Sequence, residues 1–463
     1  MKKIIFLFVI ICAISVNLFG KTKTIEKSFP TSSNQLIELN NFSGSNMKIY
    51  SWDKNEVYIK IKVNVSSSDD EWEDIYLKEF NIDEDRSNST LTLRLKETDE
   101  ESGTSIFGIK IKAFNYQKVE KSGEIYVPQN NSLKSDFKYG TISLKDIKGK
   151  IELNGSSNSL ELNNCKNIEV IENNYGTTKM YKCGGNLNLK GSSSTVTIKE
   201  FAGSAFVDAN YSTIILGEIK KSVEVKSTSA NIKASNIEGD FKTKANYSTI
   251  DVNDITGYVD IGSTSASIYV KSADGVSVNS NYSTISVSDI KGKNHKSITL
   301  NGKSGTITLE DAVGNVKIDN DYGSVQMNNV KGDVEISNSS GSINAKKITG
   351  DWISNTRYSE VSVSELSAKS IRMQNRSNGV YLDLKTTPSN VDIKNEYGGI
   401  HIDMPSGFSG DINAEVAYGD IDTNFPVKVK KLGSSAYAVS KVGNGSGRIN
   451  LETKSANIEL YEK

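Results

Sequence analysis

The sequence predicts an all-β fold, a right-handed parallel β-solenoid (β-helix) in which each rung of the solenoid takes up about 18 residues. Three observations predict it: a tyrosine motif that recurs at a fixed interval, apolar residues that alternate with polar ones inside each repeat, and a composition typical of strands and turns. The 463 residues include 36 glycines but only 5 prolines and 2 histidines.

The repeated motif is a tyrosine followed by a small residue and then a β-branched residue. It occurs, strictly or loosely, at Tyr139, Tyr175, Tyr211, Tyr247, Tyr282, Tyr322, Tyr358, Tyr397 and Tyr418. The first four tyrosines are 36 residues apart, and midway between them the same frame returns with a serine, as at Ser193. The period is therefore 18 residues. Tyrosine and serine alternate along one column, which predicts large side chains packed over small ones at a corner.

The apolar residues define the strands of each repeat. With the tyrosine or serine as position 0, they fall at positions 3 and 5, as in Ile214 and Leu216, and again at positions 12 and 14. One polar residue separates the members of each pair, which is the period of a β-strand. Position 8, such as Ile219, is expected to point inward, and position 10, often glycine as at Gly203, is expected to turn the chain. A single repeat cannot bury its apolar face, so we expect the repeats to stack as rungs with parallel strands between them. Right-handed coiling is expected because parallel crossover connections are almost always right-handed.

Changes in the spacing of the repeats indicate where loops are inserted. The interval from Tyr247 to Tyr282 is 35 residues, and the interval from Tyr282 to Tyr322 is 40. One residue is therefore expected to be missing near Gly275, and extra residues are expected around 293–296. Inserted loops are where binding side chains usually lie on a solenoid.

The sequence before the repeats predicts export. Residues 1–20 begin with Lys2 and Lys3 and continue as an apolar run too short to span a bilayer comfortably, which is typical of a signal peptide. The protein is therefore expected in the periplasm or at the cell surface, with no transmembrane segment after cleavage. Lys plus Arg (55) nearly equals Asp plus Glu (56), so no net charge attracts nucleic acid.

Residues 21–131 keep the 18-residue frame weakly and are expected to cap the repeats, which occupy residues 132–463. Met47 and Ile49, followed by Trp52 and Val57, resemble a first rung. The segment Ser68-Asp69-Asp70-Glu71 resembles a capping box and predicts a short amphipathic helix over about 69–80. Such a helix would cover the open end of the solenoid, where an unpaired rung would aggregate.

Two cysteines lie one period apart at the inward position 8. Adjacent rungs would place the Cα atoms of Cys165 and Cys183 about 4.8 Å apart, within reach of a disulfide. Export would place them in an oxidising compartment, so a structural disulfide is expected. The alternative interpretation is a pair of small buried hydrophobic residues.

Asparagines precede many of the repeat tyrosines, at Asn174, Asn210, Asn246 and Asn281. The interpretation favoured by the sequence is turn chemistry, because asparagine tolerates tight turns and stacked amides satisfy one another. A carbohydrate-binding stripe of asparagine and aromatic rings is the alternative.

The sequence contains no recognised catalytic or metal-binding motif, and no catalytic, cofactor or metal site is predicted. His295 and His401 are too far apart to meet by repeat logic and are expected at the surface. Acidic residues such as Asp254 and Asp289 are expected to be scattered and not stacked. The enzymatic alternative is a carbohydrate-active enzyme of the polysaccharide-lyase kind. A groove lined by at least three carboxylates and a basic residue would favour it, and flat faces would favour a binding protein.

Four segments carry a family resemblance: Ile49-Tyr50-Ser51-Trp52-Asp53, Ile125-Tyr126-Val127-Pro128, Val442-Gly443-Asn444-Gly445-Ser446-Gly447 and Ser455-Ala456-Asn457-Ile458-Glu459-Leu460. With the repeats, they resemble the bacterial "putative adhesin" family of unknown function over nearly all of the mature chain. Many repeats here have Tyr-Ser-Thr-Ile where that family typically has Ser-Gly-x-Ile. The resemblance implies a β-solenoid of exported or envelope proteins. We therefore expect a non-catalytic, adhesin-like binding or structural rod, without a cofactor, whose partner is an envelope glycan or protein.

Overall fold

A computed structural model describes residues 20–44, 46–97, 105–106, 109–110 and 117–463, so the predicted signal peptide lies outside the described residues except for Gly20. The chain divides into two compact units, Met1–Gly149 and Lys150–Lys463, called here the first and the second unit. The division expected after residue 131 falls inside the first unit.

Among its described residues, the first unit contains one helix, α1 (Asp70–Glu79), together with short and long strands. The described strands are β1 (Lys21–Pro30), β2 (Leu36–Asn40), β3 (Asn46–Trp52), β4 (Glu56–Ser67), β5 (Asn81–Arg86), β6 (Thr90–Lys96), β7 (Ser105–Ile106), β8 (Ile109–Lys110), β9 (Gln117–Pro128), β10 (Ser132–Lys138) and β11 (Thr141–Lys145).

Parallel and antiparallel pairs are combined in the first unit. Strand β2 lies parallel to β6 and β10, and β3 lies parallel to β9 and β11. Strand β4 instead runs antiparallel to β1 and β9. Met47 and Ile49 are fully buried in β3, as the frame predicts. Beyond Trp52 the first-rung prediction is wrong, because a tight turn, in which the Trp52 indole donates to the carbonyl of Glu56, sends the chain back into β4.

Helix α1 confirms the helix predicted near 69–80. Its N-cap is Asp69, whose carboxylate accepts hydrogen bonds from the backbone N–H groups of Glu71 and Trp72 at 3.0 and 3.1 Å. Trp72 and Tyr76 are buried, and the helix packs on β1 and β4. This contact covers antiparallel strands of the first unit, which fits the capping role expected of the helix.

The second unit is built almost entirely of strands. They are β12 (Lys150–Ser156), β13 (Ser159–Asn163), β14 (Asn167–Asn174), β15 (Thr177–Tyr181), β16 (Gly184–Ser192), β17 (Thr195–Asn210), β18 (Thr213–Ile219), β19 (Val223–Thr228), β20 (Asn231–Ile237), β21 (Phe241–Asn246), β22 (Ser248–Ser263), β23 (Ala266–Tyr282), β24 (Thr284–Ile290), β25 (Ser297–Ser304), β26 (Ile307–Val313), β27 (Asn315–Tyr322), β28 (Val325–Lys331), β29 (Val334–Thr349), β30 (Trp352–Ser367), β31 (Ser370–Asn375), β32 (Val380–Leu384), β33 (Asn390–Asn395), β34 (Ile400–Met404), β35 (Gly410–Tyr418), β36 (Ile421–Thr423), β37 (Val429–Leu432), β38 (Ser435–Val442), β39 (Gly447–Ser455) and β40 (Ile458–Glu462).

Parallel pairing between successive rungs confirms the β-solenoid and its 18-residue period. Thr177 lies opposite Thr195, which lies opposite Thr213 on its other side, so each rung is displaced by 18 residues. The inward column at position 8 is also confirmed, since Phe201 and Ile219 are fully buried and face each other. Side chains from the three sets of apolar positions fill the narrow interior.

The displacement changes where the tyrosine spacing predicts it. It falls to 17 residues where Tyr258 faces Gly275, which confirms the residue missing near Gly275. It rises to 22 where Val276 faces Ile298, because residues 291–296 form a loop between β24 and β25. The loop therefore contains the insertion expected around 293–296.

The rungs bend at two columns: residues at position 7 adopt the left-handed backbone region as far as Glu365, and residues at position 0 do so as far as Tyr247. At position 0, Tyr211 and Ser229 have φ of 52° and 56°, and at position 7, Glu218 and Asp254 both have φ of 54°. Few residues other than glycine, asparagine and aspartate adopt this conformation readily. The stacked strands on either side hold it in place rung after rung.

Glycine at position 10 has the positive φ of the predicted turn in some rungs, as at Gly185 and Gly314 with φ of 131° and 136°, but has another role at Gly203. A Cβ atom on Gly203 would lie 1.9 Å from the carbonyl oxygen of Gly185 in the neighbouring rung. The glycine therefore permits two rungs to approach closely, whereas the chain bends three residues earlier, at position 7.

The last rungs are not stacked in chain order. Strand β39 lies parallel to both β33 and β35, and β40 lies parallel to both β34 and β36. The rung made of β35 and β36 therefore lies two rungs beyond β33–β34, not one. The chain then reverses through β37 and β38, and strands β39 and β40 form the rung between these two. Strand β38 runs antiparallel to β35 and covers its other edge.

Replacing Glu218 tests whether its left-handed backbone is a constraint. We expect Glu218→Val to lower the free energy of unfolding by about 1–2 kcal/mol, because a β-branched residue fits this region poorly. Glu218→Gly removes the same side chain and should retain more of the stability. Urea unfolding of both variants checks this, and equal losses would show that the side chain, not the backbone, is what matters.

Candidate functional site

Exposed tyrosines form a column along one corner of the second unit. The register places Tyr282, Ser304, Tyr322, Ser340 and Tyr358 opposite one another in consecutive rungs. Tyr282 and Tyr322 are 66% and 64% exposed. The predicted packing of tyrosine over serine is therefore wrong: the bend at this corner directs the rings away from the core and into solvent. We call Tyr175, Tyr211, Tyr247, Tyr282, Tyr322, Tyr358, Tyr397 and Tyr418 the tyrosine stripe.

Tyrosine and serine also alternate along the stripe in the last rungs, which are not stacked in chain order. Asn395 faces Thr453, which places Ser455 beside Tyr397, and Ser455 in turn faces Tyr418. Tyr397 and Tyr418 are therefore two rungs apart, although the chain between them is much shorter than 36 residues. The tyrosines keep one spacing in space, about 9.6 Å or twice the distance between parallel strands, even where their spacing in sequence changes.

The stripe is flanked by uncharged polar side chains from residue 174 to residue 284. The preceding column consists of Asn174, Ser192, Asn210, Thr228, Asn246, Thr264 and Asn281, and the following outward column consists of Thr177, Thr195, Thr213, Asn231, Thr249, Ser267 and Thr284. None of these residues is buried. Charged side chains lie one outward position further from the stripe in these rungs, as at Lys190, Lys226 and Lys233, and they enter the flanking columns themselves at Lys303 and Asp321.

A groove of about 630 Å³ lies along the other corner, beside position 7. Charged and apolar side chains both line it: Glu200, Glu218, Lys220, Glu238, Asp254, Asp274, Lys291 and Lys293, together with Ala202, Ile237 and Ile255. Asp254 and Asp289 both occupy position 7 with positive φ, so the prediction that they do not share a column is wrong. Counting from the preceding tyrosines, Tyr247 and Tyr282, puts both carboxylates at position 7, so the shared column was available from the sequence.

The inserted loop at the end of this groove is held by Asp274, which is 4% exposed. Its carboxylate accepts hydrogen bonds from the backbone N–H groups of Lys293, Asn294 and His295 at 2.7, 3.0 and 3.0 Å, and meets the His295 ring at 2.9 Å. Burial alone would raise the pKa of Asp274, but these hydrogen bonds outweigh it and lower the pKa. His295 is half-exposed, as predicted, yet it has a buried partner that the repeat frame did not reveal.

His401 lies in a separate cluster among the last rungs. Its Nδ1 is 2.8 Å from Glu459 on β40, and its Nε2 is 3.3 Å from Asp403. The rings of Tyr381 and Tyr461 flank it at 6.4 and 5.9 Å. Burial would lower the pKa of His401, but the hydrogen bonds with the two carboxylates outweigh burial and raise it. The two histidines thus belong to different clusters, and His401 is more enclosed than expected.

Cys165 and Cys183 are buried thiols in the structure, one rung apart. The Cys183 thiol lies 3.2 Å from the carbonyl oxygen of Tyr181. Hydrogen bonding with Cys165, against the opposing effect of burial, lowers the pKa of Cys183. The disulfide between them stays a prediction.

The described residues contain neither a cluster of metal ligands nor a membrane-spanning helix. Within the described ranges, no group of three or more His, Cys, Asp or Glu side chains is arranged to hold a metal ion. In the same part of the chain, no helix has both the length and the apolar character needed to cross a membrane.

Comparison with known proteins identifies a family for part of the second unit. Residues 150–351 match the family described as Toastrack DUF4097. This segment resembles the Toastrack family. The resemblance drawn from the sequence, to a β-solenoid domain of unknown function, is thereby confirmed. The Toastrack-like segment contains the groove and the stripe from Tyr175 to Tyr322.

Comparison with solved structures gives a further similarity. The crystal structure of a "putative cell adhesion protein" from Clostridium sporogenes ATCC 15579 is 11% identical to this chain, covers 96% of it and 100% of its own length, and has a TM-score of 0.15. Among curated proteins, none matches the chain.

Replacing Asp274 by asparagine tests its role in holding the loop. We expect trypsin to cleave Asp274→Asn at the lysines of 291–296 several times faster than the wild type, because a neutral amide holds the N–H groups less strongly. Asp254→Asn, in the lining of the same groove but exposed, is the matched control and should be cleaved at the wild-type rate. Equal protection in both variants would contradict this role.

The lowered pKa of Asp274 predicts a pH dependence for the same loop. A carboxyl group whose pKa is lower in the folded state contributes stability above its unfolded pKa, and this contribution is lost as the pH falls through the folded pKa. In the wild type we therefore expect hydrogen exchange of the Lys293 and Asn294 amides to accelerate below about pH 4, relative to neighbouring rungs. Asp274→Asn should lack this acid-dependent step.

The predicted disulfide is tested by alkylating the exported protein under denaturing conditions without a reductant. We expect Cys165 and Cys183 to react only after reduction. Reduction should then lower the free energy of unfolding by about 3 kcal/mol, as expected for a loop of this length. Reaction of both thiols before reduction would show instead that they are two small buried hydrophobic side chains.

Proposed function

We propose that the protein is an exported, non-catalytic, adhesin-like binding element of the bacterial cell envelope and that the tyrosine stripe is its binding surface. The observation that carries the proposal is the row of tyrosine rings, which stand exposed on every second rung. Contiguous exposed aromatic side chains mark interaction sites in proteins. Tyrosine also gives a large contact area for little loss of conformational entropy.

The support beneath the rings favours binding as well. Each tyrosine lies within a strand or no more than two residues after one, and these strands are hydrogen-bonded to their neighbouring rungs. The rings are therefore held at fixed distances before any ligand arrives. A row of equal contacts at equal spacing suits a ligand that is itself repetitive. Engagement of several rings at once would give high avidity from individually weak contacts.

The groove supports a second candidate function, a polysaccharide lyase, because it carries more than three carboxylates together with lysines. Its side chains suit catalysis less well than this count suggests. Lys220 is hydrogen-bonded to Glu238, which raises the pKa of Lys220 and favours its charged form, whereas a lysine base must be neutral. Asp274 is already engaged in holding the loop.

The two candidate functions are separated by incubating the exported protein with polygalacturonate, with and without calcium. We expect the polymer to keep its length and to acquire no unsaturated ends. Shortening of the polymer that is lost in Glu218→Gln and Asp254→Asn would overturn the non-catalytic proposal.

The proposed binding surface is tested by sedimenting purified exported protein with isolated cell envelopes of the source bacterium. We expect the double variant Tyr211→Ala, Tyr247→Ala to bind at least roughly tenfold more weakly, as the loss of two aromatic contacts implies. Tyr269→Ala is the matched control, because Tyr269 is 47% exposed on β23 but lies outside the stripe. Equal binding of all three proteins would overturn the proposal.

Export is tested by treating intact and lysed cells with protease. Loss of the protein in intact cells would support surface display, and loss only after lysis with a processed N-terminus would support the periplasm. An unprocessed chain in the cytoplasmic fraction would contradict export.

A further inference from the structure

We infer that the tyrosine stripe binds an extended, uncharged, β-linked polysaccharide that lies along the stacked rungs from residue 174 to residue 284. This inference rests on the proposed function of the stripe and adds the class of ligand. It depends on three properties of this section: its lack of charge, the pairing of aromatic with hydroxyl and amide side chains, and the spacing of the rings.

The lack of charge is the first argument. Position 0, where tyrosine alternates with serine, and the two flanking columns supply three residues in each of seven rungs, and none of these residues is charged, although 24% of the chain is Asp, Glu, Lys or Arg. An acidic polysaccharide would require lysine or arginine beside the rings. Most protein partners would meet a charged rim. The columns in direct contact with the rings therefore favour an uncharged ligand, while the charged side chains, such as Lys226 and Asp251, lie one outward position further away.

The kinds of side chain are the second argument. A sugar ring has apolar C–H faces and an edge of hydroxyl groups. The tyrosine rings offer apolar surface for the faces, and the hydroxyl and amide groups on both sides both donate and accept hydrogen bonds. Tyr211, for example, lies between Asn210 and the outward Thr213. Aromatic surface between two rows of neutral hydrogen-bonding groups is the chemistry that a neutral glycan requires.

The spacing of the rings is the third argument. Tyrosines on alternate rungs stand about 9.6 Å apart along a straight column. In an extended β-1,4-linked chain every second sugar presents the same face, and two sugars advance by a similar distance. The rings of Tyr175, Tyr211, Tyr247 and Tyr282 would then meet every second sugar of one chain. A helical α-linked glucan would curve away from such a straight row.

The ligand class is tested by co-sedimentation of the exported protein with insoluble polysaccharides. We expect binding to cellulose or chitin, which are neutral and β-linked, and much weaker binding to amylose and to polygalacturonate. The double variant Tyr211→Ala, Tyr247→Ala should bind at least roughly tenfold more weakly, while Tyr269→Ala should bind as the wild type does. Thr213→Glu keeps every ring but adds a charge beside the stripe, and it should also weaken binding severalfold.

The spacing is tested with soluble β-linked oligosaccharides of increasing length. We expect affinity to rise by severalfold with each added disaccharide until the ligand reaches all four tyrosines, and to rise little when a single sugar is added. Affinity that is independent of length would overturn the alignment along the stripe.

The outcomes distinguish this inference from the proposed function. If the tyrosine variants lose envelope binding but neither cellulose nor chitin binds the wild type, the glycan inference fails and the stripe remains a binding surface for another ligand. If the wild type self-associates without binding either glycan, and Tyr211→Ala, Tyr247→Ala abolishes the association, the occupant is a second copy of the chain. If glycans bind the variant and the wild type equally, the stripe is not the site.

Discussion

The second unit depends on parallel backbone hydrogen bonding between successive rungs. Each strand satisfies its N–H and C=O groups on both sides only when the next rung presents a matching strand, so an 18-residue displacement is kept wherever no residue is inserted or missing. Equivalent residues therefore stack in columns, and whatever one position does is repeated along the unit. Position 8 becomes a buried core, position 7 a left-handed corner, and position 0 a row of exposed rings.

At the ends of the unit and in the irregular rungs, some backbone N–H and C=O groups have no partner in a neighbouring rung. Other parts of the chain must pair with or cover these groups. Strand β38 lies antiparallel on β35, so that edge does not offer a full parallel template. At the insertion, Asp274 takes three backbone N–H groups that have no partner in a neighbouring strand. Among the described residues, regular rungs bury only uncharged polar side chains such as Asn173 and Ser194, whereas the buried carboxylate of Asp274 lies where the register changes.

Local sequence was sufficient to predict the features that repeat: the period, the inward positions such as Ile219, the helix near Trp72 and the rung that gains a loop. It failed where the result depends on the direction of a bend or on non-local order. Tyrosine has no strong preference for the left-handed region, so nothing in its identity showed that Tyr211 faces solvent. The shared column of Asp254 and Asp289 was missed for a different reason, because only the apolar positions of the frame were compared between rungs. The partner of Asp274 depends on how the loop folds, although its position beside the register change at Gly275 was an available signal.

The insertion of β39 and β40 between earlier rungs has a consequence for how this unit tolerates shortening. In a solenoid stacked in chain order, trimming the C-terminus removes the outermost rung and leaves a slightly shorter solenoid. Here the outermost rung is made from residues 410–423, and the last strands are the layer that joins it to everything before. A chain cut before Gly447 would therefore keep its terminal rung but lose its attachment. The end of the second unit can therefore become a continuous stack of rungs only after β39 and β40 have been synthesised and have paired on both sides.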